Sequence, residues 1–245
     1  MAESVEGADL AAALETDLQP KEAVRLGFLG EAAPALTGLA VWAGRSRDRR
    51  LLSLRGSPHV RSTVLGLALR AHVGSFFQAN RFLVDSLARA VVDLLPRGGA
   101  VLDLYAGVGL FALPLAAAGA AEVHAIEASS TAVEDASANA RTARLGNVRV
   151  RRSEVGRALA SLRVSPGERI VLDPPRTGAG REVVRAVAAR RPGVVVYVSC
   201  DPPTLGRDLA EFAREGLRPD LVRAFDLFPD TFHLETVVRL VPSGL

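Results

Sequence analysis

The chain has one cysteine, Cys200, one tryptophan, one methionine and two tyrosines in 245 residues. A single cysteine excludes an internal disulfide framework, and also any all-cysteine zinc or iron-sulfur cluster built from this chain. Lysine is equally scarce: Lys21 stands alone, so nearly every basic side chain is arginine, and the pI is 9.7 although the net charge is only +3. Arginine's planar fork suits phosphate, which admits nucleic acid as a partner. Coding composition alone would produce the same arginine, alanine and glycine bias. Apolar runs are broken by Arg or Asp well short of membrane-spanning length, and the first six residues, MAESVE, carry no basic segment followed by an apolar one. The expectation is a cytoplasmic chain with no membrane segment.

The length suffices for one sizeable α/β domain and a small accessory piece. Residues 1–35 are acidic and then Ala-rich, which reads as a loosely held helix or a tail. From Leu36 to His72 short alternating runs separated by Gly, Ser, Pro and Arg predict a small antiparallel β unit, in which Trp42 either packs or stacks on a base. These two pieces form an amino-terminal region, 1–73. The main domain is expected over 74–245. It starts with a helix from Asn80 to about Leu95, with Asn80 as cap and Phe82, Leu83, Leu87, Val91 and Leu95 at helical spacing. Strands near 99–104, 122–127, 147–151, 168–173 and 194–199 alternate with helices, the pattern of a doubly wound, mostly parallel sheet. The last stretch, FDLFPDTFHLETVVRL, reads as two strands around a Pro-Asp loop, an antiparallel hairpin at a sheet edge.

Three stretches carry chemistry. In VVVYVSCDPPTLGRDL, 194–209, an apolar run stops at Cys200, Asp201 stands at a helix cap, and two prolines suit a first helical turn. That puts a thiol where strand ends and helix starts converge on one crevice. Cys200 is either a small buried hydrophobe or a nucleophile whose pKa the helix amides lower, with Asp201 opposing them. In VLDLYAGVGLFALPLA, 101–116, a strand runs into a turn where Gly107 and Gly109 let the backbone approach a ligand, and Glu127 ends the next strand, where it can accept ribose hydroxyls. A dinucleotide oxidoreductase fits this loop. Asp103 in its Leu-Asp-Leu-Tyr context, and a helix ahead of the first strand, favour S-adenosylmethionine. Tyr105 either lies against that cofactor or packs at the strand end. In ERIVLDPPRTGAG, 168–180, two prolines stiffen a loop carrying Asp173 at the strand terminus. Asp173 is a cap or a site carboxylate, and Arg176 holds phosphate or is merely solvated.

Together these motifs, with FFQAN at 76–80 and FPDTFHLE at 228–235, resemble the RNA uracil-5 methyltransferases, which make 5-methyluridine in tRNA and rRNA. The resemblance spans about 74–240. It implies a Rossmann-like S-adenosylmethionine methyltransferase sheet over 74–245, with Cys200 as nucleophile and Glu235 as base. Gln78, Tyr105, Gly107, Gly109, Glu127 and Asp173 would lie around cofactor and target, and the partner would be tRNA or rRNA. His233 is assigned support or packing. Phe76 and Phe77 are candidates for stacking on the target base, with core packing favoured for at least one. The chain departs from the family pattern in having Leu110 where some members carry Asn, and Asp201 and Pro203 for the commoner Asn and Ala. Neither an oligonucleotide-binding barrel nor the cysteines of an iron-sulfur cluster are recognisable upstream, so no metal is expected. Two competing functions are a base amino-methyltransferase, for which Cys200 would be dispensable, and a catalytically silent RNA-binding relative.

Overall fold

A computed structural model describes residues 2–3, 10–16, 37–43, 50–78, 80–165, 167–227, 229–231 and 234–244. Lys21, Phe228, Phe232 and His233 lie outside them, as does the side chain of Trp42. Near the amino terminus, β1 (Ala2–Glu3), β2 (Leu10–Thr16), β3 (Gly38–Ala43) and β4 (Arg50–Gly56) form one sheet in that order. The Ala-rich run expected as helix or tail is thus a strand. Its pairing, parallel to β3 and antiparallel to β1, overrides alanine's helix propensity, and it makes the sheet mixed instead of purely antiparallel.

A hairpin follows, β5 (His59–Val64) and β6 (Leu67–His72), closed by Leu65 and Gly66, both at positive φ as a two-residue hairpin turn requires. The turn docks on the first helix, α1 (Val84–Leu94), through Leu65 N donating to Asp85 Oδ1 at 3.0 Å. Asn80 caps the approach to α1, its Oδ1 accepting from Phe82 N at 3.0 Å and Leu83 N at 3.1 Å, but the helix proper starts four residues later than expected. Phe82 therefore sits on a preceding turn and faces solvent, while Val84, Leu87, Ala88, Val91 and Leu94 make the buried stripe.

The main sheet takes seven strands: β7 (Ala100–Leu104), β8 (Glu122–Glu127), β9 (Val148–Arg152), β10 (Arg169–Leu172), β11 (Val194–Ser199), β12 (Leu217–Phe225) and β13 (Glu235–Pro242), in the order β12-β13-β11-β10-β7-β8-β9. The helices between them are α2 (Ala112–Ala117), α3 (Ser130–Thr142), α4 (Val155–Ser161), α5 (Gly180–Ala189) and α6 (Pro202–Arg214). Strand alternation divides the core. On β11, Val194, Val196 and Val198 join α1 and α2 on one face, while Val195 and Tyr197 join α4, α5 and α6 on the other. The mostly parallel sheet with an antiparallel carboxyl-terminal pair is the expected architecture. The hairpin is displaced from its expected place: β12 begins at Leu217 and ends at Phe225, so Asp226 and Leu227, read as part of its first strand, lie beyond the strand. Of this pair β13 runs inside the sheet and β12 lies at one edge, its pairing with β13 shifted between Pro219 and Leu221.

The parallel strands line up the ends of β7, β8, β10 and β11 along one rim. Because β13 is antiparallel to β11, with Ser199 opposite Thr236, its first residue reaches that same rim.

Candidate active site

Cys200 follows directly on β11 and precedes α6, half-buried. Asp201 caps α6 by accepting from Thr204 N at 2.9 Å. The thiol pKa lies above its ordinary value, opposite to the expected lowering by helix amides. Burial is the main cause and the charge of Glu235 the next, with Asp173 adding to it and Arg176 opposing. The amides give little help because Pro202 and Pro203 have no N–H and the N–H of Thr204 is taken by Asp201.

Glu235 opens β13 beside Cys200 and is only 3% exposed. Burial pushes its carboxyl up to about 7, against a hydrogen bond from the side chain of Gln78 that lowers it. Gln78 is itself buried, and its Oε1 has no hydrogen-bond partner. Two residues on, Asn80 Nδ2 donates to Leu227 O at 3.0 Å, tying the segment that carries Gln78 to the loop that leads to Glu235.

Asp173 stands at the end of β10, its N–H directed to Leu104 O at 3.3 Å. Its carboxyl is held well above the usual range by burial, then by Glu235 and Asp103. The proline loop after it is lashed to α6 by residues that sequence reasoning missed. Asp208 accepts from Ala179 N at 2.7 Å and Tyr197 OH at 2.7 Å, and Arg207 Nη2 donates to Thr177 O at 2.8 Å. Thr204 Oγ1 also donates to Arg176 O at 3.1 Å, while the Arg176 residue as a whole is exposed. Asp208 and Arg207 were visible only as part of a motif, with no signal for what they would touch.

The glycine turn closes the crevice. Tyr105 leaves β7 at φ +63°, its ring partly buried against the α4–α6 cluster, and burial with the charges of Asp208 and Glu154 raises its phenol to about 12. Gly107 has φ +54° and Gly109 φ +95°, and a Cβ on Gly109 would stand 2.2 Å from Leu113 Cδ1. Glu127 braces the turn, Oε2 accepting from Gly107 N at 2.9 Å and Oε1 from Ala128 N and Ser129 N at 2.8 Å. Below the turn Asp103 is fully buried; burial raises its pKa to about 8 and the charge of Glu127 adds to the rise, while the backbone N–H of Ala112 approaches and opposes it without giving either oxygen a partner at full hydrogen-bond geometry. A desolvated, unpartnered carboxylate is costly unless a cation or donor meets it.

Strand order sets the candidate residues along the rim: Glu235, with Gln78 bonded to it, beside Cys200, then Asp173 at the end of β10, then Asp103 and the turn of Tyr105, Gly107 and Gly109 after β7, and Glu127 at the end of β8. Leu110 is buried with the α1–α2 face of the core, and Phe77 packs against it in part, whereas Phe76 is 73% exposed. A cleft lined by Arg141, Arg144 and Arg149 lies at the opposite end of the strands. Among the described residues no cluster of three or more His, Cys, Asp or Glu is arranged to hold a metal ion, and no helix is long and apolar enough to cross a membrane.

Known proteins are similar to this chain. An uncharacterized RNA methyltransferase of Streptomyces avermitilis is 37% identical over 231 residues, covering 93% of this chain and 52% of that protein. The 23S rRNA (uracil(1939)-C(5))-methyltransferase of Pseudomonas fluorescens is 40% identical over 189 residues, 76% of this chain and 40% of its own length. The chain spans about half the length of the curated relatives it matches. Among solved structures, the Pyrococcus abyssi tRNA (uracil-54, C5)-methyltransferase, in complex with S-adenosyl-L-homocysteine, superposes with a TM-score of 0.76 at 26% identity, covering 98% of this chain and 58% of that one. Residues 66–242 match the family described as tRNA (Uracil-5-)-methyltransferase, and the chain belongs to that family.

Proposed function

We propose that this chain methylates carbon 5 of a uridine in tRNA or rRNA, using S-adenosylmethionine, with Cys200 as nucleophile and Glu235 as base. The observation that carries the reading is that Cys200 and Glu235 each stand one residue past the Ser199–Thr236 pair that ends the β11–β13 ladder, near enough for the charge of Glu235 to raise the thiol pKa. The residues present suit the cofactor. It is a cation, and Asp103, which burial holds mostly as the acid at neutral pH, is the group that such a cation would ionise and pair with; Glu127, at the end of β8, stands where ribose hydroxyls would be met. When bound, S-adenosylmethionine supplies an electrophilic methyl group.

Carbon 5 of uracil is too weak a nucleophile to take that methyl unaided. The thiol of Cys200 loses its proton to water, and the thiolate bonds to carbon 6, moving the electrons of the C5–C6 double bond into an enolate. When bound, the cofactor would supply the methyl group that carbon 5 then takes, its carbon–sulfur bond breaking with the electron pair left on sulfur. Glu235 removes the remaining proton from carbon 5, the C–H electrons restore the double bond, and the C6–S bond breaks to release thiolate. A carboxyl held near 7 suits a group that must accept a proton at neutral pH and give it up again. Gln78 holds that carboxylate in place. The uridine has to leave its stack to reach Cys200, at a cost of a few kcal/mol that a loop or bulge reduces.

The test is an RNA carrying 5-fluorouridine, incubated with the chain and S-adenosylmethionine. Fluorine cannot leave as a proton, so a denaturation-resistant adduct should accumulate, with its mass shift on Cys200. Methyl transfer by Cys200→Ala at the wild-type rate, or a product methylated on an exocyclic amino group, would overturn the reading.

A further inference from the structure

Phe82 is a large apolar side chain left 78% exposed, on the turn that joins Gln78 to α1. The guanidinium carbon of Arg81 lies 5.0 Å from its ring centroid. The surroundings are polar: Arg81, Asp85, Ser86 and Arg89 are all exposed. A docking face for another folded protein would join such a ring to further apolar surface. A lone aromatic ring among arginines instead matches what a nucleotide offers, a flat base and a phosphate.

The turn is also fixed relative to the catalytic pair. Asn80 holds it from both sides, accepting from Phe82 N and Leu83 N and donating to Leu227 O in the loop before Glu235. Gln78, four residues from Phe82, bonds to Glu235 itself. A ring held at constant distance from the reacting centre and open to solvent is suited to a base that flanks the target and is not the target itself.

We propose that Arg81 and Phe82 form a shelf on which the nucleotide next to the target uridine stacks when the chain binds single-stranded RNA. This rests on the RNA uridine reading above. The shelf grips the strand beside the extruded base, with the ring under the neighbouring base and the guanidinium toward its backbone. Arg81 and Phe82 would hold the strand beside the target whatever its sequence, since every base offers a face to stack.

The experiment uses short single-stranded RNAs with 5-fluorouridine and a 2-aminopurine directly 5′ or directly 3′ to it, the purified chain, and S-adenosylmethionine. In the wild type, one of the two 2-aminopurines is quenched on binding. Phe82→Ala should restore its fluorescence and weaken RNA binding roughly tenfold, the scale of one stacked base. Its affinity for S-adenosylmethionine and its melting temperature should not move, and Phe82→Trp should retain both quenching and affinity. The shelf is overturned if Phe82→Ala binds as tightly and quenches as fully as wild type. It is equally overturned if the substitution leaves RNA binding alone and changes the sedimentation coefficient, which would mean that protein covers the ring. Adduct mass on Cys200 is read in the same samples. An adduct with no effect of Phe82→Ala defeats the shelf alone; RNA binding that depends on Phe82 without any adduct defeats the uridine chemistry and leaves the shelf standing.

Discussion

Glu235 accepts a hydrogen bond from the side-chain amide of Gln78, and both residues are buried at the rim of the sheet. The bond favours the carboxylate, against burial that favours the acid, and the balance stands near 7. Replacing Gln78 by Ala removes the opposing influence, so the Glu235 pKa should rise further. The acidic limb of the rate profile for methyl transfer should move to higher pH, with a loss of rate at pH 7 that is largely recovered above pH 8.5. A profile whose acidic limb stays in place would mean that Glu235 is not the titrating base.

Glu235→Gln keeps the shape and the contact with Gln78 but cannot accept a proton. Cys200 attack and methylation should proceed on natural uridine RNA, while resolution stalls. Turnover should drop about 10²–10⁴-fold, the contribution of a well-placed base, and a methylated RNA–protein adduct should survive denaturation without any fluorinated substrate. Intact-protein mass spectrometry checks this. Turnover near the wild-type level would remove Glu235 from the mechanism.

Cys200 sits in an environment that disfavours its thiolate before RNA arrives, because burial, Glu235 and Asp173 outweigh Arg176. Alkylation by iodoacetamide should therefore be slow at pH 7 and keep rising beyond pH 9, about tenfold per unit while the thiol dominates. Arg176→Gln should slow alkylation severalfold at pH 8 and leave the plateau rate unchanged. A midpoint below about 8.5, the free-cysteine value, would show that the charges around the sulfur act differently.

The elements that local sequence specifies were legible, and the contacts made across long stretches of chain were not. An apolar run stopped by Cys200, then Asp201 and two prolines, marks a strand-to-helix junction because each of those residues acts on its own backbone. Those prolines also lack the N–H groups that the expected lowering of the thiol pKa requires. The strand Leu10–Thr16 was illegible because alanine takes either form and its partner, β3, decides. Phe82 fits the helical spacing of α1, and only the late start of that helix turns it outward. The clasp that fastens the β5–β6 hairpin to α3 was equally hidden. Buried Asp135 there accepts from Arg70 Nε at 3.0 Å and His72 N at 2.7 Å, with His59 Nε2 at 3.2 Å, residues that nothing in the sequence marks as partners. The nearness of Glu235 to Cys200 followed from family motifs but from no spacing rule, since it depends on β13 entering the sheet antiparallel to β11.

Asp103 offers a prediction that separates stability from ligand binding. Its folded pKa is about 8, against an ordinary value of 3.8, with burial the main cause. A carboxyl raised in this way supports the fold fully below about pH 4, and that contribution is lost as the pH climbs through 8. The cofactor-free chain should melt at a higher temperature at pH 5 than at pH 8. Asp103→Asn, which has nothing to titrate, should flatten that slope, leaving the part due to Asp173 and Glu235. The same substitution removes the charge proposed to meet the cofactor's cation. Affinity for S-adenosylmethionine at pH 8 should fall tenfold to a hundredfold, in keeping with about 1.5–3 kcal/mol for a hydrogen bond to a charged group. Scanning fluorimetry across pH, with calorimetry for the cofactor, reads both effects. A flattened melting profile with unchanged affinity would confine Asp103 to the protonation balance of the fold and send the cofactor's cation to another carboxylate.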